Sequence, residues 1–350
     1  MKEQLQLLSK DSIELIYPLL LLAPRSSSRP LDMSRLRIPC SCTRATRRQF
    51  STSHSRRDVV DLAFHRHNPP DKTSKGPPII LMHGLFGSQR NNRTMSKALA
   101  KDLSRPVYNL DLRNHGDSPH SPVHDYISMA IDVEHFISSH SIPRPTLIGH
   151  SMGAKVAMTL ALRRPSNYSA LIPVDNAPVD AALKSDFHTY VQAMHEIEEH
   201  RPPFTKQSEA DKILAKYESN VAIRQFLLTN LVKKPAGGVD HQERHRGEHR
   251  HPQKTELRFR IPLHTLAKSL PAMADFPFKD PDEARYEGPT LMVRGTQSHY
   301  VADDALPLIG RFFPKFELLD CDCGHWVMSE NFEEFRAGVV EWITRAVDER

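Results

Sequence analysis

The stretch Thr146-Leu147-Ile148-Gly149-His150-Ser151-Met152-Gly153-Ala154-Lys155 decides the architecture. Thr146 to Ile148 reads as a buried strand, and Ser151 to Leu162 reads as a helix. The turn between them is so tight that Ser151 must adopt strained backbone angles, with small residues at 149 and 153 to avoid clashes. That strain lifts Oγ above the sheet edge, and the helix N-terminus favours negative charge developing beside it. Gly-x-Ser-x-Gly is common by itself; between a strand and a helix it marks Ser151 as a nucleophile.

Outward from this turn, strands and helices alternate. Val59–Phe64, Ile79–Met82, Val107–Leu112 and Leu171–Val174 read as strands, with helices over 91–103 and from Tyr126 to His140. Such alternation implies right-handed crossovers and a mostly parallel central sheet flanked by helices. It breaks after Asp175, where about 110 residues carry helical signals near 180–199, 208–232 and 263–272 and no strand signal. It resumes with strands Thr290–Val293 and Phe316–Leu319, a helix Ala305–Phe312 and a closing helix from Phe332. We therefore expect an α/β domain over 58–350 with a helical cap, about 176–286, inserted between late strands.

The remaining chemistry follows from what a serine nucleophile needs. An acyl transfer passes through an oxyanion that wants two backbone donors. One is the amide of Met152; the other is assigned to Leu85, in the loop His83-Gly84-Leu85-Phe86-Gly87 after an earlier strand. His83 is expected to organise this loop rather than to catalyse. The general base follows the nucleophile and acid in chain order, and Gly324-His325-Trp326, between the last strand and the final helix, supplies His325. The acid usually follows the strand ending at Val293, but Ser298 stands where an aspartate would be. Asp175, at the end of the preceding strand, is favoured, with Asp303 and Asp304 as the alternative. Asp111, Arg113, Asn114 and His115 are read as a polar network bracing the rim, and Lys155 as structural. This constellation asks for no cofactor and no metal.

These motifs, together with Leu228-Thr229-Asn230-Leu231-Val232 and Cys323-Gly324-His325-Trp326-Val327, resemble the mitochondrial α/β-hydrolase-domain-11 family and bacterial short-chain esterases. The resemblance covers 58–350 except 237–256. It implies the α/β-hydrolase fold and a serine carboxylester hydrolase acting on a short-chain acyl or lipid ester, with the acid at Asp175. Two departures stand out: Gly153-Ala154 replaces a Gly-Gly pair, and His264 occupies the position of a cap aspartate named as the acid in some relatives. A thioesterase or acyltransferase on the same triad, or a matrix binding or chaperone-like protein, are the competing functions.

The composition narrows the setting. The net charge of +5 is uneven: residues 1–57 carry +7 and the rest −2, which gives no support to nucleic-acid binding by the body. From Met33 to Arg57 there are seven arginines, no acidic residue and many Ser and Thr, the composition of a mitochondrial presequence. Arg48-Gln49-Phe50-Ser51 resembles a two-step matrix processing signal that would leave Asp58 at the mature start; a disordered basic tail is the plainer reading. Residues 1–32 carry Glu3, Asp11, Glu14 and Asp32, which suits initiation at Met33 instead. A matrix location, with a matrix protein partner, is the expectation. No run of about 18 apolar residues occurs, so no integral membrane segment is expected. Cys40/Cys42 and Cys321/Cys323 are too close to form a disulfide framework, and reduced thiols are expected. The segment 237–256 holds His241, His245 and His249 at helical spacing; it reads as a solvated loop, with metal ligation as the sharper alternative.

Overall fold

The computed structural model describes residues 59–71, 74–180, 185–235 and 255–349. Expectations for the leader and for the histidine series at 241–249 lie outside them. In order, the chain forms β1 (Phe64–His67), β2 (Ile79–Met82), α1 (Arg93–Asp102), β3 (Val107–Leu110), α2 (Tyr126–Ser139), β4 (Thr146–His150), α3 (Met152–Arg163) and β5 (Ala170–Val174). A cap follows: α4 (Ser185–Glu199), α5 (Gln207–Leu214), α6 (Val221–Leu228), β6 (Leu231–Pro235), β7 (Thr255–Phe259) and α7 (Leu263–Ala274). The sheet then continues with β8 (Thr290–Gly295), α8 (Leu306–Phe312), β9 (Phe316–Cys321), α9 (Val327–Glu330) and α10 (Phe332–Ile343).

Seven strands make one sheet, ordered β1-β3-β2-β4-β5-β8-β9, parallel except for β1. Strand periodicity splits the core in two. Ile80 and Met82 pack with α2 and α3 (Met129, Val133, Val156, Leu160), whereas Ile79 and Leu81 face α1 and α10 (Leu99, Phe335, Val339). With helices on both faces, all four residues of β2 and all five of β4 are buried, which is why they read as continuous apolar runs. All parallel strands end at the same edge, and their carboxyl ends carry the loops that bring Ser151, Asp175 and His325 together.

Two expectations need correction. Val59–Phe64 is not a strand; pairing with β3 begins at Phe64. Val60 and Leu62 are buried as the alternation implied, but the Val60 and Ala63 amides donate to Asp132 Oδ1 and Ser118 Oγ instead of a ladder. The cap is not purely helical either. The run 208–232 breaks into α5 and α6, because the Asn220 side chain caps the Ala222 amide at 2.9 Å and starts a new helix. Leu231–Pro235 then pairs antiparallel with Thr255–Phe259, so the last two residues assigned to the 237–256 segment belong to a strand.

Candidate active site

The glycines of the 149–153 turn are there for backbone clearance. A Cβ at Gly149 would lie 2.0 Å from the Gly153 carbonyl oxygen, and one at Gly153 would lie 2.6 Å from that of Met82. Ser151 takes φ 53° and ψ −113°, the left-handed strain expected of this turn. Its amide is pinned by the Val174 carbonyl at 2.9 Å.

Ser151, His325 and Asp175 converge. Oγ of Ser151 lies 2.9 Å from Nε2 of His325, and Nδ1 of His325 lies 2.6 Å from Oδ2 of Asp175. Nδ1–H donates to the carboxylate, which leaves the Nε2 lone pair for the serine hydroxyl. Asp175 is fully buried, and its φ of 52° turns the side chain off the end of β5. The Gly295 amide donates to its Oδ1 at 3.1 Å and the Ser298 hydroxyl to its Oδ2 at 2.5 Å. Ser298, in the place usual for the acid, thus supports the carboxylate from the neighbouring strand. Asp303 lies elsewhere: its side chain is 85% exposed and pairs with Arg294 at 2.5 Å. Asp303 and Asp304 open the short turn before α8 and are not brought to His325.

The loop after β2 is built on neutral histidines. His83 donates from Nδ1 to the Gly84 carbonyl at 2.8 Å, while its Nε2 accepts the Leu112 amide at 3.0 Å. His115 accepts the Phe86 amide on Nε2 at 3.1 Å and donates from Nδ1 to the Arg113 carbonyl at 2.9 Å. Burial lowers His83 to about 4 and His115 to about 3, so both work uncharged. Gly87 N–H donates to Gly84 O. The Leu85 N–H is not among these internal bonds, and the Met152 N–H, the first amide of α3, has no acceptor within its helix. Asp111 and Arg113 behave as the bracing network expected. Asp111 takes the Gln89 and Asp117 amides, and Arg113 forks onto Asp132 at 2.6 and 2.7 Å.

Two contributors carried no signal that singled them out. His150 donates from Nε2 to the His325 carbonyl at 2.7 Å, fixing the backbone of the loop that carries His325; burial holds it neutral, at about 4. The Tyr300 ring lies over His325 with centroids 4.3 Å apart. Lys155 is structural, as expected, and it ties the cap down. Its Nζ donates to the carbonyls of Val179, Ala274 and Asp275 at 2.9, 3.1 and 2.9 Å, at the two ends of the cap. Burial lowers it to about 8. Cys321 and Cys323 are buried free thiols, pushed up by burial to about 12 and about 11.

A cavity of about 590 Å³ adjoins the site. His83, Gly84, His150, Phe226, Trp326 and Met328 are among its lining, so it borders the turns next to Ser151 and His325, though neither of those two lines it.

Comparisons with known proteins give the family. A family model described as the alpha/beta hydrolase fold matches residues 77–332. The chain belongs to that family. Within it, this hydrolase is 42% identical to a probable alcohol acetyltransferase of Saccharomyces cerevisiae, over 79% of this chain and 80% of that one. It is 34% identical to the sn-1-specific diacylglycerol lipase ABHD11 of Xenopus laevis, over 82% and 85%, which bears out the resemblance seen in the sequence. Among solved structures it superposes on a marine microorganism esterase with TM-score 0.69 and 28% identity, covering 81% of this chain and 99% of that one. The hydrolase is an ester hydrolase of the ABHD11 type. Among the described residues, no helix is long and apolar enough to cross a membrane.

Proposed function

We propose that this hydrolase cleaves a carboxylic ester through an acyl-enzyme on Ser151. His325 Nε2 takes the hydroxyl proton as Oγ bonds to the carbonyl carbon, and the Leu85 and Met152 amides receive the oxyanion. Collapse breaks the bond to the alkoxide, which leaves with the proton from His325. Water then repeats the sequence and frees the acid. Asp175 holds the imidazole in the required tautomer and stabilises its cation. The observation that carries this reading is the Ser151–His325–Asp175 chain at 2.9 and 2.6 Å. A fluorophosphonate probe tests it: labelling is expected in the native protein and absent in Ser151→Ala. A native protein that resists labelling would favour the binding role instead.

For the substrate we favour a lipid ester. Support comes from the lipases among the relatives and from the 590 Å³ cavity, whose lining includes Phe226, Trp326 and Met328. An acyl-chain series on the purified protein should show turnover on chains longer than acetyl. Transfer of the acyl group to an alcohol is the second reading, favoured by the 42% identical acetyltransferase. The acyl-enzyme is common to both, so the ratio of ethyl ester to free acid formed in aqueous ethanol separates them. The Arg-rich, acid-free stretch 33–57 supports targeting to the mitochondrial matrix, with cleavage before Asp58. N-terminal sequencing of the native protein should begin there; a peptide from residues 1–32 would exclude initiation at Met33.

A further inference from the structure

Three amide groups run in hydrogen-bonded series from the cap to the oxyanion site. Asn230 sits between α6 and β6 and is 2% exposed. Its Nδ2–H donates to the Phe86 carbonyl at 2.7 Å. The N–H of that same peptide unit, on Gly87, donates to the Gly84 carbonyl at 2.9 Å. The N–H of the Gly84–Leu85 unit is the Leu85 donor. Each bond in such a series aligns and polarises the next, so the last N–H is both aimed and strengthened.

The middle of this series would not hold its shape unaided. Phe86 takes φ 62°, uncommon for a bulky side chain, and such a conformation persists only where the surroundings over-determine it. Here they do. His115 holds the Phe86 amide, Asn230 holds its carbonyl, and its buried ring faces Phe187 of α4 with centroids 6.1 Å apart. Two of these three holds come from the cap. Asn230 is itself fixed, because its carbonyl accepts the Arg260 amide at 2.9 Å, just past the end of β7.

We propose that Asn230 is a positioning residue through which the cap sets the direction and strength of the Leu85 oxyanion donor. The proposal rests on Leu85 serving as that donor. It makes a seated cap part of the catalytic apparatus as well as a cover for it: with Asn230 displaced, an ester still binds but its oxyanion is poorly received.

Asn230→Asp, assayed at a pH where the carboxylate is ionised, tests this, since it keeps the shape and turns an oxygen that cannot donate toward the Phe86 carbonyl. Expected is a fall in kcat of about tenfold or more, against the 10²–10³ typical of losing a donor outright, with KM within about twofold. Affinity for a trifluoromethyl ketone, which places an oxyanion in the hole, should fall in parallel with kcat/KM. A purely structural role would instead raise KM and leave ketone affinity tied to substrate affinity; that result overturns the proposal. If Asn230→Asp melts below the assay temperature, Asn230→Ser, whose hydroxyl is too short to reach Phe86, takes its place. Leu85→Pro removes the donor itself. Wild-type turnover in folded Leu85→Pro defeats the Leu85 assignment and the proposal with it. Loss there, with kcat and ketone affinity intact in the Asn230 variant, defeats the proposal alone.

Discussion

Ser298 and His325 share one oxygen: Oδ2 of Asp175 accepts the Ser298 hydroxyl at 2.5 Å and the His325 Nδ1–H at 2.6 Å. The ends of β5 and β8 therefore reach the same point. Removing the second donor leaves the triad standing but weakens the carboxylate's orientation. A hydrogen bond to a charged group contributes about 1.5–3 kcal/mol, so Ser298→Ala should lower kcat by about ten- to a hundredfold. Steady-state kinetics on a chromogenic ester measure it.

The same convergence gives a sharper test. Asp175→Asn should cost about 10⁴ in turnover, because the imidazole loses its tautomer and its counter-charge. Adding Ser298→Asp to that variant puts a carboxylate beside His325 again from the other strand. Turnover of the double variant should rise well above that of Asp175→Asn. If Asp175→Asn alone keeps wild-type turnover, the acid has been misassigned.

His150 acts on the base through the backbone. His150→Phe keeps the ring volume and loses the 2.7 Å bond to the His325 carbonyl. A net contribution of about 1 kcal/mol translates to roughly a fivefold loss in kcat. KM should change less than kcat, since the phenyl ring keeps its place in the cavity lining.

Acid should destabilise this hydrolase early. His83 and His150 titrate at about 4 and His115 at about 3 in the folded state, against 6.5 when unfolded. The unfolded chain binds more protons between these values, so stability is full above pH 6.5 and falls as pH drops toward 4. Melting temperature against pH should show this slope, and His115→Gln should flatten it.

Lys155→Met should loosen the cap. Three carbonyls lose their donor at a site 2% exposed, and at about 1 kcal/mol per bond the loss is about 3 kcal/mol in urea unfolding.

The sheet was legible because parallel strands buried on both faces leave short apolar runs, and because Ser151 and His325 each stand in a turn of fixed form. Asp175 could be read because its rival position held Ser298, a residue with no charge to offer. The cap was harder. Its hairpin strands, Leu231–Pro235 and Thr255–Phe259, carry Lys233, Lys234, Glu256 and Arg258, so no apolar run announces them. Val60 and Leu62 misled for the opposite reason: their burial alternates, but the Val60 and Ala63 amides bond to side chains across the fold. Side chains whose partners are distant backbone atoms, such as His150 and Asn230, leave no local pattern at all.

The two ends of the cap both hang from one side chain. Val179 leaves the sheet region and Ala274–Asp275 return to it, each a single hydrogen bond from Lys155 Nζ. Departure and re-entry thus coincide in space, and the polypeptide between them forms a closed excursion. Such an excursion can change in length without altering strand order or the Ser151 helix. Change within it leaves the sheet and the Ser151 helix alone, but only a cap that keeps Asn230 and Phe187 against Phe86 preserves the loop beneath.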